Sequence, residues 1–90
     1  MNYGPAKRAS NLKKHGLDFA DVEFLDWDNA MVIPDTRKDY GENRYRAFIY
    51  DDLGCGPYSV AFTMNNDVMR VISFRRAHAK ERKIYAQETE

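Results

Sequence analysis

The 90-residue sequence predicts one α+β domain spanning residues 1–90: a small antiparallel β-sheet with two N-terminal helices and a C-terminal helix packed on it. Three observations lead there. Helix formers and capping residues fill the chain as far as Asp26, a hydrophobic period of two takes over from Arg44, and the connections between the later strand-like segments are too short for a crossover.

The elements follow in order. AKRASNLKKHG (6–16) holds helix formers and closes on Gly16, the residue suited to a left-handed C-cap, so a first helix ends near His15. Asp18 is a good N-cap for DFADVEFLD, where Phe19, Ala20 and Val22 give partial helical spacing and predict a second helix. MVI (31–33), bracketed by Asn29 and Pro34, reads as a short edge strand. In RYRAFIY (44–50), Tyr45, Ala47 and Ile49 share one face and Arg44, Arg46, Phe48 and Tyr50 the other. DDLGCGP turns the chain, YSVAFTM is the next strand, MNND a tight hairpin connection, and VMRVISFRR a strand rich in β-branched residues. HAKERKIYAQETE (78–90) contains no Gly or Pro and reads as the closing helix, with KERK (80–83) an ordinary exposed face carrying local ion pairs. All the helices are expected on one face of the sheet.

Fourteen Lys and Arg cancel fourteen Asp and Glu over the whole chain, but not locally. Residues 1–20 carry +3, 37–46 +2 and 70–84 +5, whereas 21–36 carry −5 and 47–69 −3. If the positive blocks meet in space, a neutral protein acquires a basic groove whose local field attracts phosphate. The apolar runs fall far short of the roughly 18 residues that cross a bilayer, and MNYGPAKRAS has no apolar signal core, so a cytoplasmic protein without membrane contact is expected. A single cysteine, Cys55, cannot form an internal disulfide and reads as a bystander thiol in a turn.

Several chemistries are absent from the pattern. His15 and His78 lie far apart in sequence with no Cys or second His at ligand spacing, so neither metal nor other cofactor is expected. The glycines are scattered, and LGCGP lacks the lysine of a phosphate-cradling loop. Nucleotide hydrolases, most proteases and metallonucleases are thereby disfavoured. Cations, aromatics and two imidazoles remain, a set able to bind and cleave RNA without metal. Such cleavage needs a base for the 2′-hydroxyl, fixed cations for the charge growing on phosphorus, and an acid for the leaving 5′-oxygen. Arginine suits the second role, because its planar fork holds phosphate oxygens and stays charged. The two histidines, with an ordinary pKa near 6.5, suit proton transfer; Glu42 or a lysine would need a shifted one. Each residue also has a plainer reading. His78 can be a water-exposed first-turn residue; Arg44 and Arg46 can be a solvated strand face, the reading that composition alone favours. Tyr3, Tyr40, Tyr45 and Tyr85 can be core or rim residues instead of base-stacking rings. Trp27 reads as core.

Three segments together resemble the BrnT family of bacterial type II toxins, of the RelE-like ribonuclease group. NLKKHGLDFADV (11–22) is similar to its N-terminal signature, DTRKDYGENRY (35–45) to its Asp…Gly-Glu-x-Arg segment, and RVISFRRAHAKERKIY (70–85) to its closing strand and helix. The likeness runs from about residue 5 to 86. It implies a RelE-like fold and an endoribonuclease toxin that inhibits translation and growth. A BrnA-like ribbon-helix-helix antitoxin would silence it, and DNA would be met only indirectly through that antitoxin. Carried over by position, Lys14, His15, Glu42, Arg44, Arg75, Arg76 and His78 fall in the three signature segments; the catalytic candidates are then His15, Glu42, Arg44, Arg75, Arg76 and His78, and the candidates for binding RNA are Lys13, Lys14, Arg46, Arg70 and Lys80. They fall in the three positive blocks.

The sequence departs from the family pattern at three places. Tyr3-Gly4 stands where a Trp-Asp pair is usual, FTMNN ends the second strand where Tyr-Thr-Glu-Arg is frequent, and Phe74 replaces a small alanine, either filling core or offering a stacking platform. The missing Glu-Arg pair keeps an alternative open: a catalytically weak or inactive homologue retained as a binding partner in an antitoxin–DNA repressor complex. An independent sequence-specific DNA reader is disfavoured, since neither a helix-turn-helix nor a ribbon-helix-helix pattern is visible.

Overall fold

The computed structural model describes residues 1–36 and 41–89, with side chains for 1–36 and 41–84. Helix α1 (Pro5–His15) is followed by strands β1 (Met31–Pro34), β2 (Arg44–Ile49), β3 (Tyr58–Asn65) and β4 (Val68–Arg76), and by helix α2 (Ala79–Thr89). The four strands form one sheet in the order β1-β2-β3-β4, every neighbour antiparallel. This is the α+β architecture read from the sequence. Pro5 opens α1, where its missing N–H costs nothing, and Gly16 closes it at φ 71°, its N–H returning to the Leu12 carbonyl at 2.8 Å. Asn66 and Asp67, both at positive φ (52° and 65°), make the two-residue turn of the β3–β4 hairpin.

The expected second helix is present, as a 3₁₀ helix at Phe19–Phe24 followed by a shorter one at Trp27–Asn29. Apolar spacing accounts for this. Phe19, Val22 and Leu25, all buried, recur every three residues, which lines them up on a helix of three residues per turn and would drift them around an α-helix. Asp18 still caps the segment, its carboxylate accepting the Ala20 N–H at 3.0 Å.

That segment covers one face of the sheet. Its three buried residues pack with Ala47 and Ile49 of β2, Tyr58, Val60 and Phe62 of β3, and Val71 and Phe74 of β4. Aromatic contacts knit this core: Phe62 meets Trp27 edge-on and stacks on Tyr45, and Tyr58 meets Phe74 at 5.3 Å between ring centroids. Trp27 is half-buried on it, donating its indole N–H to the Val22 carbonyl at 2.8 Å. Phe74 is therefore core and offers no stacking platform.

The helices do not all share one face. Helix α1 lies along the free edge of β4, held by Asn11: its amide donates to the Phe74 carbonyl at 2.8 Å and accepts the Phe74 N–H at 3.1 Å, completing the edge strand's ladder with a side chain. The start of α2 sits over the opposite face, where Glu81 and Ile84 share a groove with Arg46 and Phe48.

One irregularity decides which residues reach which face. Val71 pairs with Phe62 and Ser73 with Ala61, leaving Ile72 as an extra residue without an opposite number. Such a bulge reverses the in–out alternation beyond it. Phe74 thereby enters the core and Arg75 emerges on the other face; a regular strand would place them the other way round. Among the described residues no helix is long and apolar enough to cross a membrane.

Candidate active site

The face away from the core is polar. Cross-strand register arranges it in three rows: Arg44, Thr63 and Arg70; Arg46, Ala61 and Ser73; Phe48, Ser59 and Arg75. Successive rows are separated by two residues along a strand, roughly 7 Å. Four arginines thus project from this face, among Thr63, Ala61, Ser73 and Ser59, with Phe48 buried beneath the start of α2.

At its centre the arginines converge on one carboxylate. Arg75 grips Glu81 with both ends of its fork, Nη1 to Oε1 at 2.6 Å and Nη2 to Oε2 at 3.0 Å, and Glu81 Oε1 also accepts the His78 backbone N–H at 2.8 Å. The last contact is half of a capping box that starts α2. Arg75 and Glu81 side chains are only 17% and 19% exposed, so the pair is shielded from solvent. Burial works to raise the Glu81 pKa, but the Arg75 hydrogen bonds, the His78 N–H and the charges of Arg75 and Arg46 hold it down at about 2. Arg46 Nη1 donates in turn to Ser59 Oγ.

The two histidines flank this cluster. His15, the last residue of α1, has its pKa lowered by burial and by the charges of Lys14, Arg75 and His78. That influence places all four in one neighbourhood. His78 stands at the entrance to α2, 71% exposed, its Nδ1 3.8 Å from Glu81 Oε1. A shallow groove of about 230 Å³ runs between α1 and β4, lined by Lys7, Ser10, Lys14, His15 and Ser73 with the bulged Ile72. The Asn11 tether keeps His15 beside the sheet: a helix bound to the strand edge by its middle presents its last turn to the cationic face.

Among the residues singled out from sequence, His15, Lys14, Arg46, Arg75 and His78 therefore come together. Arg44 occupies the far row, paired with Glu42 at 3.2 Å beside a second groove formed by Gly41, Asn43, Thr63 and Asn65. Arg70 is in that row too, its guanidinium beside Gly4. Lys13 and Lys80 are exposed on α1 and α2. Arg76 is on the wrong side: its guanidinium lies 5.4 Å from the centroid of the Tyr58 ring, on the core face, because adjacent strand residues point oppositely. Arg37, Lys38 and Tyr40 lie outside the described residues, as does the side chain of Tyr85. Tyr3 and Tyr45 pack against Phe19 and Phe62, and the cation over the Tyr3 ring is Arg8, 5.8 Å from its centroid, not an arginine of the polar rows.

Two residues of the site were missed in the sequence. Glu81 was absorbed into an ordinary exposed helix face, yet it is the half-buried hub of the cluster. Glu81 makes half of a capping box, but His78 lacks the hydroxyl or carboxylate that completes the sequence signature, so the pattern does not mark it. Asn11 sits mid-helix as the buried polar residue of an otherwise solvated segment; it opens the signature-like stretch NLKKHG, but nothing in that stretch marks it as the tether to β4.

In a comparison with known families, the model described as ribonuclease toxin, BrnT, of type II toxin–antitoxin system matches residues 3–81. No curated relative matches the chain.

Proposed function

From its place in the BrnT family of type II ribonuclease toxins, to which this chain belongs, we propose that it is a metal-independent endoribonuclease acting in the cytoplasm, where it cuts RNA to halt translation and growth until a BrnA-like antitoxin binds it. The observation that carries this reading is the convergence of Arg46, Arg75, His15 and His78 on the polar face of the sheet.

The chemistry divides among these groups as follows. The phosphodiester sits against Arg75 and Arg46, whose N–H donors neutralise the non-bridging oxygens as charge builds on phosphorus. His15, with its pKa below the ordinary value, is largely unprotonated at neutral pH and takes the proton of the 2′-hydroxyl. The 2′-oxygen then bonds to phosphorus while the bond to the 5′-oxygen breaks, and His78 protonates that leaving oxygen. The products are a 2′,3′-cyclic phosphate and a 5′-hydroxyl. Glu81 is too weak a base at a pKa of about 2 to remove a hydroxyl proton. Its role is to keep the Arg75 fork pointing across the face. Glu42 does the same for Arg44, which with Lys14 and Arg70 holds the RNA backbone further along.

Purified protein incubated with mRNA in EDTA should yield fragments with cyclic or 3′-phosphate ends; RNA left intact would sink the reading. The rate should rise with pH through a midpoint below 6.5, as His15 loses its proton, and His15→Asn should abolish that rise. Met64 and Asn65, at the end of β3 where the family resemblance leads one to look for Glu-Arg, favour the second reading of a toxin homologue kept for a repressor complex. Growth arrest on expression, relieved by the antitoxin, distinguishes the first reading from the second.

A further inference from the structure

The core side of the molecule carries a surface that the RNA chemistry does not use. Between the 3₁₀ segment and the β2–β3 turn runs an apolar groove of about 290 Å³, floored by Leu17, Leu25, Tyr58 and Phe74. Phe24 and Leu53 stand over it at 66% and 89% exposure. Neither exposure comes from a loose segment. The three-residue spacing that turns Phe19, Val22 and Leu25 inward throws Phe24 outward, and Asp51 pins the turn by accepting the N–H groups of Leu53 and Cys55 at 3.0 and 2.8 Å. Two large apolar side chains exposed at the lip of an apolar groove are the composition of a protein-binding site.

Its charge selects the partner. Asp21, Asp51 and Asp52 line the groove, within the stretches of the chain that carry its excess acid, and Arg76 over Tyr58 is the cation beside it. Carboxylates at this density repel a phosphate backbone and favour lysine and arginine. We infer that this groove anchors the antitoxin through a segment whose apolar side chains pack on Phe24 and Leu53 and whose basic side chains meet Asp21 and Asp52. The identity of the partner rests on the toxin–antitoxin reading above; the groove and its charge do not. A second copy of the chain is the competing occupant, since α1 offers Leu12 among Arg8, Lys13 and Lys14.

The test uses the full-length protein and the antitoxin encoded beside it. Affinity is measured by biolayer interferometry for the wild type and two double variants, Phe24→Ser with Leu53→Ser, and Asp21→Lys with Asp52→Lys. All four positions lie outside the cleavage site and the apolar pair is exposed, so the variants should keep the wild-type melting profile and RNA cleavage rate. Each double variant should weaken the antitoxin about tenfold or more, and the charge reversal should also flatten the salt dependence of Kd. Affinities within about twofold of wild type for both, or no binding of antitoxin to the wild type, overturn the inference. So does sedimentation of the toxin alone as a dimer that the same substitutions disperse, which assigns the groove to a second copy. If the wild type binds antitoxin through these residues but leaves RNA intact, the nuclease reading fails and the anchor stands.

Discussion

The two faces of the sheet are made from alternate residues of the same strands, and they divide the work of the protein between them. On one, Tyr45, Ala47 and Ile49 of β2 meet Val60 and Phe62 of β3 under the 3₁₀ segment, with Phe19 and Val22 entirely buried. On the other, Arg44 and Arg46 alternate with those same residues, and Ser59, Thr63, Ser73 and Arg75 continue the polar rows. The contrast teaches where each kind of free energy resides. Removing apolar area from water stabilises the first face, each large side chain by roughly 1.5–3 kcal/mol. The second face gathers like charges whose mutual repulsion folding must overcome, and Glu81 is the counter-charge that makes Arg75 tolerable there.

Breaking the first face should have the largest effect. Phe19→Ala leaves a cavity in the buried cluster beside Tyr3, and should lower the unfolding free energy by about 3–5 kcal/mol in urea titrations. A loss under about 1 kcal/mol would mean that the 3₁₀ segment does not seal the core as described.

On the second face, acid should expose the Glu81 clamp. Its pKa is about 2 when folded against an ordinary 4.5, so its contribution is complete above pH 4.5 and disappears as pH falls through 2. The contribution is at most about 3 kcal/mol. Asp18, drawn down to about 2 by its hydrogen bonds from Arg8 and the Ala20 N–H, titrates over the same window with the same sign. Stability measured from pH 5 to 2 should therefore fall less steeply in Glu81→Gln than in the wild type. Identical slopes would show that the fork does not hold its carboxylate in solution.

Much of this contrast can be read from residues 44–50, where strict alternation separates Tyr45, Ala47 and Ile49 from the arginines and predicts the two faces correctly. Helix α1 is equally legible, because Gly16 and the basic last turn mark its end at His15. The second helix is legible from its Asp18 cap onward, and its 3₁₀ type lies in the three-residue spacing of Phe19, Val22 and Leu25, a stronger signal than the partial match of Ala20 and Val22 to an α-helical pattern. The β4 register was out of reach: VMRVISFRR carries no glycine or proline to mark an extra residue at Ile72, and only pairing with Ala61 and Phe62 reveals it. Without it, Arg75 and Arg76 read as an equivalent pair and Phe74 as an open question.

Arg75 and Arg76 point to opposite faces of the sheet, so the proposed chemistry assigns them different parts. Arg75→Ala removes the fork from the centre of the polar face and should slow RNA cleavage on the order of 10²-fold, seen in kcat more than in KM, because its donors act on charge that develops during the reaction. It also strands the Glu81 carboxylate, so Arg75→Lys is the companion variant: it keeps the charge and loses the paired hydrogen bonds, and its rate should fall between the two.

The smallest effect sharpens the comparison most. Arg76→Ala, one residue along, takes away a guanidinium that lies over Tyr58 on the core face. It should cost about 0.5–1 kcal/mol in thermal unfolding, the size of an exposed cation–π contact, and leave single-turnover cleavage within about threefold of wild type. Two adjacent arginines in one basic run then differ by more than tenfold in rate, a gap that neither net charge nor nonspecific attraction for RNA can produce. Equal losses at both positions would instead mean that RNA wraps around the β4 edge and senses the run as undifferentiated charge, and the bulge at Ile72 would no longer assign the catalytic arginine.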